Sequence, residues 1–447
     1  MRGNLVQNQL DARLPVIDRA KGVWLIDTEG KEYLDGCSGA VVTSIGHGNP
    51  DVLAAINEQA VKVTFTHRGA FATEASEKLA AKIAQMTGYP GVWLVGSGSE
   101  AVEAAIQFAL QYFREIGQPE RQHFLSHRHG YHGNTLGALS LSGHARRTVL
   151  GGLAYDFPTL RTPYQYRDGE GLSEANYCQV LLTEARTHLE NHSGHLAGVV
   201  IEAVGGATLG ATPVPDGYLQ GMRELCDEFG VLLIVDEVMT CVGRTGAMMA
   251  VDHWNVKPDL IAMGKGMAAG YAPIAAVLVG ERVLAAIENG TGRILGGHTY
   301  AGNPLSCATA LAVLDVFTKD QVLAHGQRMA KELEEGLDRL ATRHTLVGDA
   351  RGLGMLRALE FVQDRTKKSV ALPQGTISSR VFSACLEQGL VVYPSTGGFN
   401  ESILVAPPLT ISSEEITDLL SKLDTALAAV ERRMQEAGEI TLDSTSA

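Results

Sequence analysis

From Val92 onward, short runs of consecutive apolar residues alternate with longer stretches in which apolar residues recur at helical spacing. Apolar runs of this length indicate strands buried on both faces, and the helical stretches indicate the connections between parallel strands. Strands are predicted at Val92–Val95, His123–Ser126, Gly198–Glu202, Val231–Asp236, Leu260–Met263 and Ile274–Val279. Helices between them are predicted at Glu100–Phe113 and Tyr218–Phe229. We therefore expect an α/β fold with a mostly parallel sheet flanked by helices.

The two ends of the chain have a mixed pattern. Val23–Asp27 and Lys31–Asp35 are predicted to form a hairpin. After Pro304, predicted helices at Leu305–Phe317, Gln321–Thr342, Ser378–Glu387 and Ser412–Arg432 alternate with predicted strands at Met355–Phe361, Leu390–Tyr393 and Ile403–Ala406. We predict an N-terminal segment of residues 1–60 that joins a small α+β domain, a large domain of residues 61–304, the small C-terminal domain at 305–434, and a flexible tail at 435–447.

Composition and charge exclude several classes of function. The chain has 447 residues, of which 45% are apolar, and a net charge of −13, which argues against nucleic-acid or anionic-membrane partners. No apolar run approaches the ~20 residues that a membrane span needs. The N-terminus has no apolar stretch of signal-peptide length. The six cysteines lack metal-ligand spacing and fit free thiols, so we expect a cytoplasmic protein without a metal site.

Lys265 lies between Gly264 and Gly266, directly after the predicted strand Leu260–Met263. The carboxyl end of such a strand is where open α/β folds bind ligands. Burial beside apolar neighbours lowers the pKa of an amine, which lets a lysine act as a nucleophile toward carbonyl groups. A lysine that only keeps a turn solvated would have the same local sequence, so the interpretation depends on the other motifs.

Asp236 and Glu237 end a second apolar run. A metal-binding aspartate of the Walker type would need a phosphate-binding loop ending in Gly-Lys-Ser/Thr, which the sequence lacks. The alternative is that Asp236 pairs with the ring nitrogen of a heterocycle and keeps it protonated. One of the two acids could instead cap a helix.

Two glycine-rich segments could bind a phosphate group. In Leu94–Ala105 the backbone N–H groups of Gly98, Ser99 and Glu100 open a helix and form a candidate phosphate cradle. The same segment matches a dinucleotide fingerprint, but the next predicted strand does not end in the acidic residue that such a site needs. In Gly296–Pro304, Thr299 could contact a second side of a phosphate, or the segment could only cap the next helix.

Tyr131 lies among three histidines in the segment 126–133. The histidines suggest a metal site, but no nearby Cys or Glu completes the usual zinc spacing. Tyr131 could instead present a flat face to an aromatic ligand, or the segment could be a packed aromatic corner.

Taken in order, these motifs resemble the class III (ω-type) pyridoxal-phosphate-dependent aminotransferases of fold type I. The resemblance rests on Gly-Ser-Gly-Ser-Glu-Ala, Tyr-His-Gly, Asp-Glu-Val-Met followed by Gly-Arg-Thr-Gly, Gly-Lys-Gly and Thr-Tyr-Ala-Gly-Asn-Pro. It extends from about Gly22 to the segment that begins at Ala406. It implies pyridoxal 5′-phosphate as cofactor and a homodimer with shared active sites, or a higher oligomer built from such dimers.

The resemblance implies a role for each motif residue. Lys265 forms the internal aldimine and transfers the proton, and Asp236 binds the pyridinium nitrogen. The other cofactor contacts implied are Gly98 and Ser99 at the phosphate, Tyr131 and Val238 on the two ring faces, Glu202 near the cofactor, and Thr299 at the phosphate of the neighbouring subunit. Arg244 is expected to be structural, and Val41 is a candidate substrate contact.

One departure from the family pattern concerns the substrate. Many relatives that use 2-oxoglutarate have an arginine just before the Ala-Pro-Pro-Leu segment, where this chain has Leu404. We therefore expect a substrate carboxylate to be held elsewhere, by Arg68 or by a loop residue such as Arg167, or the donor to lack that carboxylate.

The sequence thus predicts an aminotransferase that moves an amino group from an amine or ω-amino acid to a small 2-oxo acid, with pyruvate favoured. A pyridoxal-phosphate decarboxylase, mutase or epimerase on the same fold is the alternative, because the cofactor motifs do not determine which bond breaks. A nicotinamide-dependent oxidoreductase would leave Lys265 and Asp236 unexplained.

Overall fold

The computed structural model describes residues 4–8, 14–169, 171–395 and 397–440. Its strands are β1 (Ile17–Lys21), β2 (Trp24–Asp27), β3 (Glu32–Asp35), β4 (Gly91–Val95), β5 (His123–His127), β6 (Thr159–Leu160), β7 (Leu196–Ile201), β8 (Val204–Gly205), β9 (Thr212–Pro213), β10 (Leu232–Glu237), β11 (Leu260–Met263), β12 (Ala275–Val279), β13 (Val347–Leu353), β14 (Leu356–Phe361), β15 (Leu390–Val391), β16 (Tyr393–Pro394) and β17 (Glu401–Val405).

The α-helices connect these strands and cover them. They are α1 (Ser38–Val41), α2 (Pro50–Lys62), α3 (Glu74–Thr87), α4 (Gly98–Glu115), α5 (Leu136–Leu141), α6 (Gln165–Asp168), α7 (Glu174–His192), α8 (Tyr218–Phe229), α9 (Glu281–Asn289), α10 (Pro304–Lys319), α11 (Val322–Arg343), α12 (Thr376–Glu387) and α13 (Ser413–Glu436). Short 3₁₀ helices lie at Ala145–Leu153, Ala250–Trp254 and Lys265–Met267. No helix in the described ranges has both the length and the apolar composition that a bilayer crossing requires.

The central sheet has seven strands in the order β4-β12-β11-β10-β7-β5-β6. Strand β12 runs antiparallel to both of its neighbours, and the other neighbouring pairs are parallel. Helices α4, α5 and α9 bury apolar side chains on one face of the sheet, whereas α3, α7, α8 and α10 pack on the opposite face. The predicted α/β fold with a mostly parallel, helix-flanked sheet is therefore confirmed.

Besides the β8-β9 pair, the described residues form two four-stranded sheets. In one, β1, β2 and β3 from the N-terminal segment pair with β15 from the C-terminal part, and the other has the order β13-β14-β17-β16. The pairing of β3 with β15 connects the N-terminal segment to the C-terminal part of the chain. The single predicted strand Leu390–Tyr393 is in fact two, because β15 pairs with β3 whereas β16 pairs with β17.

The first residues of the predicted tail at 435–447 overlap the end of helix α13. Helix α13 extends to Glu436, and the residues that follow it remain attached to the domain. Arg380 forms an ion pair with Glu439, the Glu439 carbonyl accepts a hydrogen bond from Gln363, and Ile440 is buried. Residues 435–440 therefore contact the C-terminal part of the chain, and residues 441–447 lie outside the described residues.

Candidate active site

A cavity of about 230 Å³ lies at the edge of the central sheet where the parallel strands end. Because these strands run in the same direction, the segments that follow β4, β5, β7, β10 and β11 all meet there. Seven of the eight predicted cofactor residues line this cavity: Gly98, Ser99, Tyr131, Glu202, Asp236, Val238 and Lys265. The remaining walls are Ser97, His132, Gly133, Val204, Ala207, Met239 and Thr240.

Lys265 directly follows the turn that ends β11 and has a backbone φ of 40°. This left-handed conformation is uncommon for a residue with a side chain, and such residues concentrate at functional sites. Burial lowers the pKa of its amine to about 8, although the carboxylates of Asp236 and Glu202 act in the opposite direction. A large fraction of the amine is therefore neutral near pH 8, and a neutral amine can accept a proton or attack a carbonyl group.

Asp236 is held by two contacts near the end of β10. Its Oδ1 atom accepts a hydrogen bond from the Val238 N–H at 3.0 Å, and its Oδ2 atom lies 3.0 Å from Nδ1 of His132. Burial alone would lower the pKa of His132, but the Asp236 carboxylate outweighs burial and raises it. The Asp236 carboxylate therefore lines the cavity with the His132 ring beside it.

His132 is the main site residue that the sequence analysis missed. The three histidines of the segment do not converge on one point: His127 bonds the Tyr218 hydroxyl at 2.9 Å, His129 stacks on Phe399 at 3.8 Å, and His132 faces Asp236. They therefore form no common metal site. The sequence offered one signal for His132, its position next to Tyr131. Both residues line the cavity.

Glu237 points away from the cavity and has a structural role. Successive residues of a strand face opposite sides of the sheet, so Asp236 and Glu237 diverge. The Glu237 carboxylate accepts hydrogen bonds from the N–H groups of Ala250 at 2.9 Å and Val251 at 2.8 Å, at the start of a 3₁₀ helix. Burial raises the pKa of Glu237 to about 7, while these hydrogen bonds favour its ionised form. Neither acid is the N-cap residue of this helix, which is Met249, so Glu237 contacts the helix start from a distant strand.

Helix α4 presents the candidate phosphate cradle. Gly98 and Ser99 are its first two residues, whose N–H groups have no acceptor within the helix. A Cβ atom on Gly98 would lie 2.7 Å from the Val238 side chain, so only glycine fits there. Glu100 was also expected to offer its N–H group to the phosphate. This N–H instead donates to the capping hydroxyl of Ser97 at 3.3 Å, which leaves the N–H groups of Gly98 and Ser99 available.

Glu202, which follows β7, fixes two other walls of the cavity. Its carboxylate accepts a hydrogen bond from the Tyr131 N–H at 3.0 Å and another from the Gly206 N–H at 2.9 Å. These bonds attach the aromatic loop and the loop that carries Val204 and Ala207 to the end of one strand. Burial raises the pKa of Glu202, although the same hydrogen bonds and the charge on His132 oppose the shift.

Four other residues that were predicted to contact the cofactor or the substrate do not line this cavity. Thr299 is exposed and does not line the cavity of its own subunit. Val41 is buried in α1 with a φ of 59°. The Arg68 guanidinium lies over the Trp93 ring, 4.2 Å from its centroid, in a separate depression. Arg167 pairs with the buried Glu360 at 2.5 Å.

Arg244 and Leu404 are both structural in this fold. The buried Arg244 guanidinium donates to the carbonyl oxygens of Ala406 at 3.2 Å and Pro407 at 2.6 Å, and to the Ser38 hydroxyl at 3.0 Å. It thereby ties the N-terminal segment to the Ala-Pro-Pro segment, as expected for a structural role. Leu404 is fully buried in β17 and pairs in register with Ala358 of β14.

Comparison with known proteins supports the motif-based resemblance. Residues 6–427 match the family model described as aminotransferase class-III. The chain is 39% identical over 444 residues to the uncharacterized aminotransferase YodT of Bacillus subtilis, covering 98% of this chain and 100% of that protein. It is 32% identical to the diaminobutyrate–2-oxoglutarate transaminase of Halomonas elongata, covering 96% of this chain and 93% of that one.

A solved structure shows the same fold. An amine transaminase from an uncultivated Pseudomonas species, in its pyridoxal-phosphate-bound form, superposes with a TM-score of 0.89 at 33% identity. The match covers 94% of this chain and 95% of that chain.

Proposed function

The chain belongs to the class III aminotransferases, and from that premise we propose that it transfers an amino group from an amine or ω-amino acid to a small 2-oxo acid, with pyridoxal 5′-phosphate as cofactor and pyruvate as the favoured acceptor. The observation that carries the proposal is the single cavity that contains the low-pKa amine of Lys265, the carboxylate of Asp236 and the helix N-terminus at Gly98.

The residues of this cavity fit the cofactor. The N–H groups of Gly98 and Ser99 would bind its phosphate, where the positive end of the α4 dipole favours an anion. The Asp236 carboxylate would hold a proton on the ring nitrogen, and Tyr131 and Val238 would enclose the ring. When bound, pyridoxal phosphate supplies a carbonyl group that condenses with amines and a ring that withdraws electrons.

Lys265 is the group that moves protons. Its amine is neutral over an accessible pH range because its pKa is about 8, so Nζ can take a proton from the substrate carbon and return it. Tyr131, Val204 and Met239 add apolar surface to the lining of the cavity. These features support proton transfer at the substrate carbon without deciding between transamination and the decarboxylase, mutase or epimerase alternative.

Acceptor choice depends on the carboxylates that the pocket can neutralise. Leu404 offers no charge, and a second unpaired carboxylate would cost several kcal/mol on burial. This supports a monocarboxylate such as pyruvate over 2-oxoglutarate. The amine transaminase likeness supports an amine donor, whereas the diaminobutyrate–2-oxoglutarate relative supports the competing acceptor.

The test is a panel of amines and ω-amino acids assayed against pyruvate and 2-oxoglutarate, with kcat/KM measured for both acceptors. We expect product formation that requires both substrates and a higher kcat/KM for pyruvate. Release of carbon dioxide or racemisation without an acceptor would favour the alternative reactions. Leu404→Arg is a poor test of acceptor choice, because it would bury a charge inside the sheet and destabilise the fold.

The proposal includes a homodimer with shared active sites. Tyr300, the chain neighbour of Thr299, is an apolar side chain that is 70% exposed. Phe65 is also exposed, and its ring contacts the Tyr300 ring with centroids 6.3 Å apart. This exposed pair of aromatic rings supports contact with a second copy, which would bring Thr299 to the phosphate of the neighbouring subunit. A cytoplasmic location stays a prediction.

Mixed dimers test the shared site. A Thr299→Ala subunit combined with a Lys265→Ala subunit would form one site with both defects and one with neither, if Thr299 acts across the interface. Mixing should then restore activity that neither homodimer has at low cofactor concentration. Unchanged activity on mixing would show that Thr299 does not act in the partner's site.

A further inference from the structure

Arg146 is a cation at the edge of the active-site cavity. It is the second residue of the 3₁₀ helix Ala145–Leu153, which follows the aromatic loop and α5. Its Nη1 atom donates to the Tyr131 hydroxyl at 3.3 Å, and its guanidinium carbon lies 5.9 Å from the centroid of the Tyr131 ring. Tyr131 lines the cavity, so Arg146 contacts a residue of the cavity wall without lining the cavity itself.

The Arg146 guanidinium is not committed to a carboxylate. Among the described residues, no Asp or Glu oxygen lies within 4.0 Å of it. The side chain is exposed, so a ligand can reach it. An arginine guanidinium has a planar set of N–H donors that matches the two oxygens of a carboxylate.

The other candidate cations are engaged elsewhere within this subunit. Arg68 lies over the Trp93 ring outside the cavity, and Arg167 is paired with the buried Glu360. Arg147, the neighbour of Arg146, donates to the Tyr155 carbonyl at 2.9 Å. Lys265 is the only lysine or arginine among the described residues that lines the cavity itself, and its amine serves proton transfer. His132, the other basic side chain of the cavity, is engaged by Asp236.

We propose that Arg146, together with the Tyr131 hydroxyl, binds the carboxylate of the 2-oxo acid acceptor. The inference rests on the proposed aminotransferase function and assigns the contact that Leu404 cannot make. The hydroxyl already accepts a hydrogen bond from Arg146, so its own proton remains free to donate to a carboxylate oxygen. A single cation at this position suits a monocarboxylate.

The experiment compares pyruvate with pyruvamide, its uncharged amide, in the holoenzyme with one donor amine that lacks a carboxylate. The variants are Arg146→Gln and Arg146→Lys, with Arg147→Gln as the matched control. In Arg146→Gln we expect KM for pyruvate to rise about tenfold or more, the effect of losing one hydrogen bond to a charged group. The constants for pyruvamide and for the donor should stay near the parent values.

Two further readouts separate recognition from a structural effect. Added salt should raise KM for pyruvate in the parent more than in Arg146→Gln, because salt screens an exposed ion pair. Arg146→Lys should retain part of the preference for pyruvate, since it keeps the charge but loses the planar donors. A parent-like ratio of pyruvate to pyruvamide in Arg146→Gln, or equal losses for both acceptors, would overturn the proposal.

A binding measurement keeps the inference independent of turnover. Titration of the holoenzyme with pyruvate, followed by cofactor absorbance, gives a dissociation constant for parent and variant. Weaker binding in Arg146→Gln supports the proposal even if the parent transfers no amino group, a result that would refute the proposed function alone. Equal dissociation constants would overturn the assignment of Arg146.

Discussion

The lowered pKa of Lys265 makes a direct prediction for the protein before cofactor is added. Only a neutral amine attacks the carbonyl group of pyridoxal phosphate, so the rate of cofactor incorporation should follow the neutral fraction of Lys265. Burial sets this pKa at about 8, against 10.5 for an ordinary lysine. The rate should therefore rise with pH and level off above about 8 to 9.

The size of the effect follows from the two pKa values. At pH 8 about half of the Lys265 amines are neutral, whereas an amine with a pKa of 10.5 would be about 0.3% neutral. The amine should thus be on the order of a hundredfold more available than an unperturbed lysine at this pH. Lys62 provides a contrast within the chain, because the Glu58 carboxylate beside it raises its pKa.

The assay mixes apo-protein with pyridoxal phosphate from pH 6 to pH 10, traps the covalent adduct with borohydride and measures its rate of formation. Lys265→Ala is the negative control. Asp236→Asn should move the profile to lower pH, because the Asp236 charge raises the pKa of Lys265. Glu58→Gln removes a distant carboxylate and should leave the profile unchanged. A rate that still climbs through pH 10 in the parent would refute the reasoning, because Lys265 would then behave as an exposed amine.

Two further predictions concern charged contacts. Asp236→Asn should slow the half-reaction with a donor amine on the order of a hundredfold, because a neutral amide cannot hold the ring proton, and stopped-flow absorbance of the holoenzyme measures this rate. A parent-like rate would remove Asp236 from its assigned role. His344 lies between the carboxylates of Glu431 and Asp424, each 2.7 Å away. Burial lowers the pKa of His344, but the two carboxylates outweigh it and raise the pKa above its ordinary 6.5. His344→Gln should therefore cost about 1–3 kcal/mol in the free energy of unfolding below pH 6.5, and the difference from the parent should shrink as pH rises through the raised pKa. Denaturant unfolding at pH 6 and pH 9 checks this, and an equal difference at both would contradict it.

The parts of the fold that were predictable are those in which one physical requirement dominates a local segment. A strand covered on both faces must be apolar along its whole length, so β11 was predicted with its observed bounds Leu260–Met263. Strand β13 (Val347–Leu353) was not predicted, because its side chains are mostly half-buried and its sequence includes Asp349 and Arg351. The attachment of Glu439 to Arg380 depends on a contact between residues far apart in sequence.

The same distinction applies within the site. Residues that approach the cofactor space through a strand end or a helix start were recognisable, because their backbone position alone directs them there. His132 was not, since its importance lies in the 3.0 Å contact with Asp236, about a hundred residues later in the chain. Glu237 could be separated from Asp236 only when the side of the strand that faces the cavity was known.

Substrate recognition is the least local property of this site. The sequence alone does not distinguish the roles of Arg68, Arg146 and Arg167. The structure separates them by their partners, since an aromatic ring holds Arg68 and a buried carboxylate holds Arg167. Within the described part of the chain, the Arg146 guanidinium contacts Tyr131, through its hydroxyl and its ring, and pairs with no carboxylate. A cation gains most from a substrate carboxylate when no protein carboxylate already satisfies it, and this condition depends on the tertiary fold.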